Sequence, residues 1–361
     1  MVCNPQTGIG CNYCNYSITI YYYTNPTNAG NINGFTNGQS QTFKYNHYIC
    51  GNYKFYFSES MHPEGNAFSI WSASGGSISS TEDNGTTLTV TSGGSSTASI
   101  TANFVMGLLV PLYMDPATND PNTGHTYWQD LINAKNSYPT VPIIAIVNPD
   151  SGPGDAAVLT YTSGMKNLSS AGIMMIGYVW TDYGDRSIGS WSTFNSTEEA
   201  ISNWTSFYPN LLSGIFLDQM NYPGSMQNIG GPTYYSTVTS FAHNEGLNTV
   251  VGNPGDQTNS SYVGTVDIIT PYEGSGLPSA ANFLKQNTTG GFPTTVSSQW
   301  GIFAYNVTSS ALTQNYVNSA VNYIGWIYVT DEAGESSSTI GFPYNILPTY
   351  LNTEMGYLTN T

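Results

Sequence analysis

Eight short apolar runs between residues 107 and 330 constrain the fold of this chain more than any other feature. Each run is long enough for a buried strand and too short for a typical helix. The runs occupy residues 107–113, 142–147, 173–179, 214–218, 248–253, 267–272, 301–306 and 325–330. Amphipathic segments that suit surface helices lie between several of them, at residues 125–137, 155–172, 196–209 and 232–246.

Alternating strands and helices pair their strands in parallel, and eight such strands predict a closed (β/α)8 barrel, a TIM barrel, over residues 106–361. A doubly wound open sheet is also compatible with this pattern. The weakest unit is residues 253–266, because this stretch leaves little room for a full helix.

The first 105 residues have a different pattern, without helical periodicity. Short runs rich in β-branched and aromatic residues are separated by Gly, Asn and Ser, which predicts a small antiparallel, β-sandwich-like domain over residues 1–105. These runs lie at residues 17–24, 53–60, 67–74, 86–92 and 97–104. Tyrosines on its surface suit stacking on sugars. A packing or assembly module is the alternative.

The charge balance limits the possible partners. Lys and Arg number 6 against 22 Asp and Glu, and only 8% of residues are charged. Nucleic acid and anionic membrane are therefore not expected as partners, because both require clustered cations. No apolar run reaches the length of a spanning helix, so we expect no membrane insertion, and the first residues do not predict a signal peptide. The composition indicates an extracellular or cell-surface location, a virion surface included.

All four cysteines lie in the first 50 residues, at Cys3, Cys11, Cys14 and Cys50. In an exterior protein they predict two disulfides of unknown pairing, with a structural zinc site or free thiols as alternatives. Eight N-x-[ST] sequons add a weak indication of glycosylation, at Asn15, Asn84, Asn167, Asn195, Asn203, Asn259, Asn287 and Asn306.

Two carboxylates stand at the ends of predicted barrel strands. Asp218 ends the fourth and Glu273 ends the sixth, so both side chains should face the mouth of the barrel, where TIM-barrel chemistry takes place. Two carboxyl groups across a cleft lined by aromatic side chains are the apparatus of glycoside hydrolysis. The alternatives are a helix cap for Asp218 and a solvated loop acid for Glu273. No motif predicts a metal site or a cofactor.

Several stretches at these strand ends resemble the spherulin 4 family of secreted glycoside hydrolases. The resemblance spans residues 107–350 and leaves the first 105 residues uncovered. The matching stretches are VPLYMDP (110–116), VPIIAIVNPDSGPG (141–154), AGIMMIGYVWTDYGDRS (171–187), GIFLDQM (214–220), VVGNPG (250–255), DIITPYEG (267–274), IYVTD (327–331) and PYNILPTY (343–350).

The resemblance implies a (β/α)8 barrel that cleaves polysaccharide, with α-1,4-linked galactosamine or N-acetylgalactosamine polymers as the substrate class. Matched by position, Asp218 would be the nucleophile and Glu273 the acid/base of a retaining mechanism. The residues expected to bind substrate, from the resemblance or from the strand ends, are Tyr113, Asn148, Tyr178, Arg186, Gln219, Asn253 and Tyr305.

One position departs from the family pattern. An Asp-Glu pair is expected after the fourth strand, and this chain has Asp218 and Gln219. If that second acid positions or protonates substrate, activity would be weaker or shifted to another sugar. Since Asp218 and Glu273 both remain, we expect an extracellular glycoside hydrolase whose N-terminal domain attaches it to glycan, a cell surface or a larger assembly. The alternative is a structural cell-surface, filament or virion protein that uses its barrel as a non-catalytic glycan-binding module.

Overall fold

A computed structural model of the chain describes residues 14–25, 39–47, 52–58, 68–79, 85–91, 97–104, 106–184, 197–221, 231–279, 297–333 and 343–359. These residues fall into two compact units, one within residues 14–104 and the other within residues 106–359. In the described part, no helix is both long and apolar enough to cross a membrane.

The N-terminal unit is built from two small sheets. Its strands are β1 (Cys14–Asn25), β2 (Ser40–His47), β3 (Asn52–Ser58), β4 (Phe68–Ser74), β5 (Ser77–Ile78), β6 (Gly85–Thr91) and β7 (Thr97–Phe104). One sheet has the order β2-β1-β7-β4 and the other β3-β6-β5. Each described sheet has one buried face, since Ile20 with Tyr22 in β1 and Leu88 with Val90 in β6 are buried at alternate positions.

The five predicted N-terminal strands are present, and two further strands, β2 and β5, were not predicted. The sequence of β2, SQTFKYNH, is mostly polar, and β5 is only two residues long, so neither has a clear pattern. The prediction of purely antiparallel pairing is wrong at one place: β1 and β7 run parallel, with Ile20 opposite Ala98. The two strands come from opposite ends of the unit, so no hairpin turn dictates their direction.

The second unit is a barrel of parallel strands, and all eight apolar runs form them. The strands are β8 (Gly107–Leu112), β9 (Ile143–Val147), β10 (Met174–Trp180), β11 (Gly214–Asp218), β12 (Thr249–Asn253), β13 (Ile268–Ile269), β14 (Glu273–Ser275), β15 (Gly301–Tyr305) and β16 (Trp326–Val329). The sheet order is β13-β12-β11-β10-β9-β8-β16-β15-β14. The predicted fold class is therefore confirmed.

The sixth strand position is divided between β13 and β14, which pair with β12 and β15 respectively. Pro271 lies between the two pieces and has no N–H to donate to a ladder. On either side of it the backbone still joins both edges: the Thr270 N–H donates to the Gly252 carbonyl at 2.9 Å, and the Phe303 N–H donates to the Tyr272 carbonyl at 2.9 Å. This segment closes the barrel.

The described helices surround the strands. They are α1 (Tyr127–Ser137), α2 (Leu159–Ser170), α3 (Thr197–Phe207), α4 (Pro232–Asn244), α5 (Gln314–Ala320) and α6 (Leu351–Leu358). Thr126 caps α1 by accepting the Gln129 N–H at 3.2 Å, as an N-cap hydroxyl does. The connection from β12 to β13 carries only a short 3-10 turn, Ser260–Tyr262, which confirms that residues 253–266 have no room for a full helix.

A close contact between α3 and β10 positions one wall of the barrel mouth. A Cβ atom at Gly177 would lie only 2.5 Å from the indole of Trp204, so the tryptophan occupies the space that a side chain would need. The Trp204 Nε1–H donates to the Tyr178 carbonyl at 2.8 Å. The buried indole therefore holds α3 against β10 at the residue whose side chain enters the site.

Candidate active site

Three polar side chains meet where neighbouring barrel strands end. Asp218 is the last residue of β11 and lies opposite Asn253, the last residue of β12. Glu273 is the first residue of β14 in the closing strand. The carboxyl ends of parallel strands open onto one face of the sheet, so these side chains share a cavity of about 500 Å³.

The Asn253 side-chain amide joins the two carboxylates. Its Nδ2 lies 3.0 Å from Asp218 Oδ1 and 2.8 Å from Glu273 Oε2. These two oxygen atoms are therefore at most about 5.8 Å apart, the sum of the two lengths. Asn253 Oδ1 accepts the Thr270 hydroxyl at 2.6 Å and the Gly255 N–H at 3.1 Å. These two donors orient the amide so that its NH₂ group faces the acids.

Each carboxylate also accepts a hydrogen bond from a tyrosine hydroxyl. The Tyr178 hydroxyl donates to Asp218 Oδ2 at 2.6 Å, and the Tyr344 hydroxyl donates to Glu273 Oε1 at 2.7 Å. The ring of Tyr113 stands edge-on between the two tyrosines, with ring centroids 5.8 Å from Tyr178 and 5.9 Å from Tyr344. Such edge-to-face pairs hold the aromatic wall of the cavity in one arrangement.

The surroundings of the two acids shift their proton affinities. Burial raises the pKa of Asp218, and the hydrogen bonds from Tyr178 and Asn253 oppose that rise. Burial also raises the pKa of Glu273, the charge of Asp218 raises it further, and the bonds from Asn253 and Tyr344 oppose the rise. Two close carboxyl groups cannot both ionise freely, and the charge of Asp218 acts on Glu273, which favours a proton on Glu273 while Asp218 is ionised. The pair can thus offer one carboxylate and one acid together.

The chain turns sharply just after Asp218. Gln219 has a φ of 52°, in the left-handed region that non-glycine residues seldom adopt. The Thr181 hydroxyl donates to the Asp218 carbonyl at 2.7 Å, and the Tyr183 N–H donates to the Gln219 carbonyl at 2.8 Å. The Trp180 Nε1–H donates to Gln219 Oε1 at 2.7 Å. Strained backbone of this kind is stored at functional sites when the surroundings fix it.

Seven of the predicted site residues line this one cavity. They are Tyr113, Asn148, Tyr178, Asp218, Gln219, Asn253 and Glu273. Tyr305 ends β15 as expected but is not among the lining residues, and its backbone carbonyl accepts the Gly276 N–H at 2.8 Å. The prediction for Arg186 falls outside the described residues. So does the predicted disulfide chemistry: Cys3, Cys11 and Cys50 are not described, and of Cys14 only the backbone, at the start of β1, is described.

Other lining residues were not predicted from the sequence. They are Pro111, Ser151, Tyr183, Phe216, Pro254, Gly255, Phe303, Tyr344 and Asn345. Among them, Tyr344 contacts an acid of the site directly, because its hydroxyl donates to Glu273. It lies in PYNILPTY, which follows the last barrel strand without any helical or strand periodicity, so only the family resemblance marks this stretch. Within the described residues, no group of three or more His, Cys, Asp or Glu side chains could hold a metal ion.

Comparisons with known proteins cover the barrel unit. The Spherulation-specific family 4 matches residues 107–358. Spherulin-4 of Physarum polycephalum is 31% identical over 255 residues, which are 68% of this chain and 68% of that protein. The crystal structure of Aspergillus clavatus Sph3 in complex with GalNAc superposes with a TM-score of 0.56 at 22% identity, covering 71% of this chain and 98% of Sph3. Sph3 thus shares the barrel fold, and the match in sequence over the whole barrel shows that the chain belongs to the Spherulation-specific family 4.

Proposed function

We propose that this protein is an extracellular glycoside hydrolase that cleaves galactosamine- or N-acetylgalactosamine-containing polysaccharide by a two-carboxylate, retaining mechanism. The observation that carries the proposal is that the side-chain amide of Asn253 donates a hydrogen bond to both Asp218 and Glu273. Retaining glycosidases place their carboxyl groups about 5–5.5 Å apart, and inverting enzymes about 6.5–9.5 Å. An upper limit of about 5.8 Å between the bridged oxygens favours the retaining arrangement.

The roles of the two acids follow from their order of ionisation. Asp218, which ionises first, attacks the anomeric carbon and forms a glycosyl ester. Glu273, whose proton the charge of Asp218 helps to retain, donates that proton to the glycosidic oxygen as the bond to the leaving sugar breaks. The Glu273 carboxylate then takes a proton from water, the water oxygen attacks the anomeric carbon, and Asp218 is released as the free carboxylate.

The tyrosines and Asn253 hold the two acids in position for these reaction steps. Tyr178 and Asn253 each donate to one oxygen of Asp218, which stabilises the carboxylate before attack. Burial raises the pKa of Tyr178 and Tyr344, so both stay protonated and remain donors. The aromatic wall around Tyr113 supplies an apolar face for the C–H groups of a pyranose ring.

The substrate class rests on charge and on a relative. The described residues that line the cavity include two acids and no Lys or Arg, which favours a neutral or cationic sugar over an anionic one. The Sph3 relative was crystallised with N-acetylgalactosamine, and we carry that sugar over to this chain as part of the proposal. The N-terminal unit, whose Tyr56 is 69% exposed, would attach the barrel to glycan, a cell surface or a larger assembly.

The deciding experiment measures new reducing ends from α-1,4-linked galactosamine and N-acetylgalactosamine polymers. Asp218→Asn removes the proposed nucleophile and should lower the rate roughly 10⁴-fold, the scale seen for such residues. Asp256→Asn is the matched control, since it removes one exposed charge near Asn253 without touching the cavity. Proton NMR of the first product formed should show retained anomeric configuration.

Two results would decide against the proposal. An inverted product would remove the nucleophilic role of Asp218. Binding of the polymers without any turnover by the parent protein, or an Asp218→Asn rate equal to that of the parent, would favour the alternative of a structural, glycan-binding surface protein.

A further inference from the structure

A second cavity, of about 490 Å³, has no part in the mechanism proposed above. Two chain segments line it: residues 120–133, which connect β8 to α1 and begin that helix, and residues 346–352, which connect β16 to α6. It shares no lining residue with the cavity that holds Asp218 and Glu273.

The two cavities adjoin on the same face of the barrel. Both segments of the second cavity follow the carboxyl ends of strands, and β8 and β16 are neighbours in the sheet. Tyr344 and Asn345 line the first cavity, and Ile346 and Leu347 line the second. Consecutive Cα atoms lie about 3.8 Å apart. A single stretch of chain, residues 344–347, therefore lines both cavities, which places them next to each other.

Tyr127 provides a polar group to this cavity. The residue is only 5% exposed and lines the cavity, and its hydroxyl makes no hydrogen bond within the part of the chain that the structure describes. The hydroxyl can therefore donate a hydrogen bond to a ligand in the cavity. Burial, Asp120, Glu332 and Asp130 all raise the pKa of Tyr127, so it remains a donor.

The polar rim is acidic. Asp120 Oδ1 accepts the Asn122 N–H at 2.7 Å, and no hydrogen bond to its Oδ2 is formed among the described residues. Asp130 accepts the Thr123 hydroxyl at 2.7 Å and lies 3.2 Å from His125 Nδ1. No Lys or Arg is among the described lining residues. The rim therefore favours a ligand with a positive charge and several hydroxyl groups.

Part of the lining is apolar. Leu347, Pro348 and Leu351 also line the cavity, beside the polar residues. A lining with apolar side chains beside acids, amides and hydroxyls matches a hexosamine ring, which has C–H faces and a polar edge.

We propose that this second cavity is an accessory subsite that binds a de-N-acetylated, protonated amino-sugar unit of the same glycan chain that is cleaved in the first cavity. The ammonium group of the sugar lies against Asp120, and Tyr127 donates to one of its hydroxyls. The inference rests on the proposed function for the identity of the polymer.

The test measures binding separately from turnover. Asp218→Asn protein is titrated calorimetrically with α-1,4-linked galactosamine oligomers, from disaccharide to octasaccharide, either fully N-acetylated or fully de-N-acetylated. Adding Asp120→Asn or Tyr127→Phe should weaken binding of the long de-N-acetylated oligomers about tenfold, as expected for the loss of one hydrogen bond to a charged or buried group. Binding of the disaccharide should not change.

Both variants preserve the local structure. In Asp120→Asn the side-chain amide oxygen can still accept the Asn122 N–H, and in Tyr127→Phe the aromatic ring is kept. Asp155→Asn, an exposed acid outside both cavities, is the matched control and should bind every oligomer as the Asp218→Asn protein does.

The inference is overturned if Asp120→Asn and Tyr127→Phe bind long oligomers unchanged, if acetylation makes no difference, or if no oligomer binds. If Asp218 proves unnecessary for turnover while the length-dependent loss persists, the hydrolase proposal fails and the subsite stands.

Discussion

The two carboxyl groups of the site are supported by different kinds of structure. Asp218 ends a continuous strand, with β10 and β12 paired on either side and Trp204 packed against Gly177 of β10. Glu273 begins a three-residue strand that follows an interruption at Pro271, and its tyrosine partner comes from the connection after the last barrel strand. The regular side holds the proposed nucleophile, and the irregular side holds the proposed acid, whose surroundings raise its pKa.

The largest expected effect separates the chemical roles of the two acids. Glu273→Gln should abolish cleavage of the natural polymer, roughly 10⁴-fold, because no group protonates the leaving sugar. Its rate on an aryl glycoside with an acidic phenol as leaving group should recover strongly, because that phenolate departs without a proton. Asp218→Asn should stay inactive on both substrates. Steady-state rates on the two substrates check this, and equal losses for the two variants would contradict the division of roles.

Asn253 links the two sides, so its loss should disturb both. Asn253→Ala removes a donor from each carboxylate and should lower kcat about 10²-fold, the scale of one preorganised donor. Its hydrogen bonds lower the pKa of both acids, so both limbs of the pH profile of kcat/KM should move to higher pH. Movement of only one limb would show that the amide serves only one acid.

The two tyrosines allow the two acids to be tested separately, because each tyrosine donates a hydrogen bond to only one acid. In the proposed mechanism the acidic limb of the profile follows ionisation of Asp218, and the basic limb follows loss of the Glu273 proton. Tyr178→Phe removes a bond that lowers the pKa of Asp218, so the acidic limb should move to higher pH. Tyr344→Phe should move the basic limb to higher pH in the same way. Each change should cost about tenfold in rate, since a bond to a charged group is lost.

The smallest effect concerns a third carboxyl group, which has no part in the proposed chemistry. Glu354 on α6 is fully buried, accepts the Val329 N–H at 3.1 Å and has no partner for Oε2 in the described part of the chain. Burial raises its pKa well above 4.5, so its contribution to stability is complete below the unfolded value and is lost as the pH rises through the folded value.

Glu354→Gln keeps the acceptor and carries no charge, so it should raise the melting temperature at neutral pH by roughly 2–4 °C per kcal/mol gained. The gain should shrink as the pH falls, and the rate of polymer cleavage should stay at the parental value. Scanning calorimetry across the pH range measures the effect, with Glu245→Gln on the exposed surface as control. A melting temperature at neutral pH no higher than the parental one would contradict the expected cost of burying this acid.

The regular side of the site was predictable from the sequence, and the irregular side only in part. The run GIFLD predicts a buried strand that ends on an acid, and the pattern of short apolar runs alone places Asp218 at the barrel mouth. Glu273 was found in the same way, although the division of its strand around Pro271 was not. Tyr344 was missed because its position depends on a connection whose path only tertiary packing determines.

The distance between the two acids also required the folded structure, whereas their roles came from the family resemblance and stay a prediction. Sequence spacing gives no distance between Asp218 and Glu273, and only the Asn253 bridge limits it. In the N-terminal unit, β2 was missed because its few apolar residues are surrounded by polar ones, and the parallel pairing of β1 with β7 is set by contacts between the two ends of that unit.

The packing of Trp204 over Gly177 has a consequence for how substitutions would be tolerated. Any side chain at position 177 would displace the indole and, through its bond to the Tyr178 backbone, the phenol that holds Asp218. In a mutational scan scored by growth or catalysis, this glycine would be as sensitive to substitution as a residue that lines the cavity. Gly177 does not line the cavity, and its contribution is the space that it leaves for Trp204.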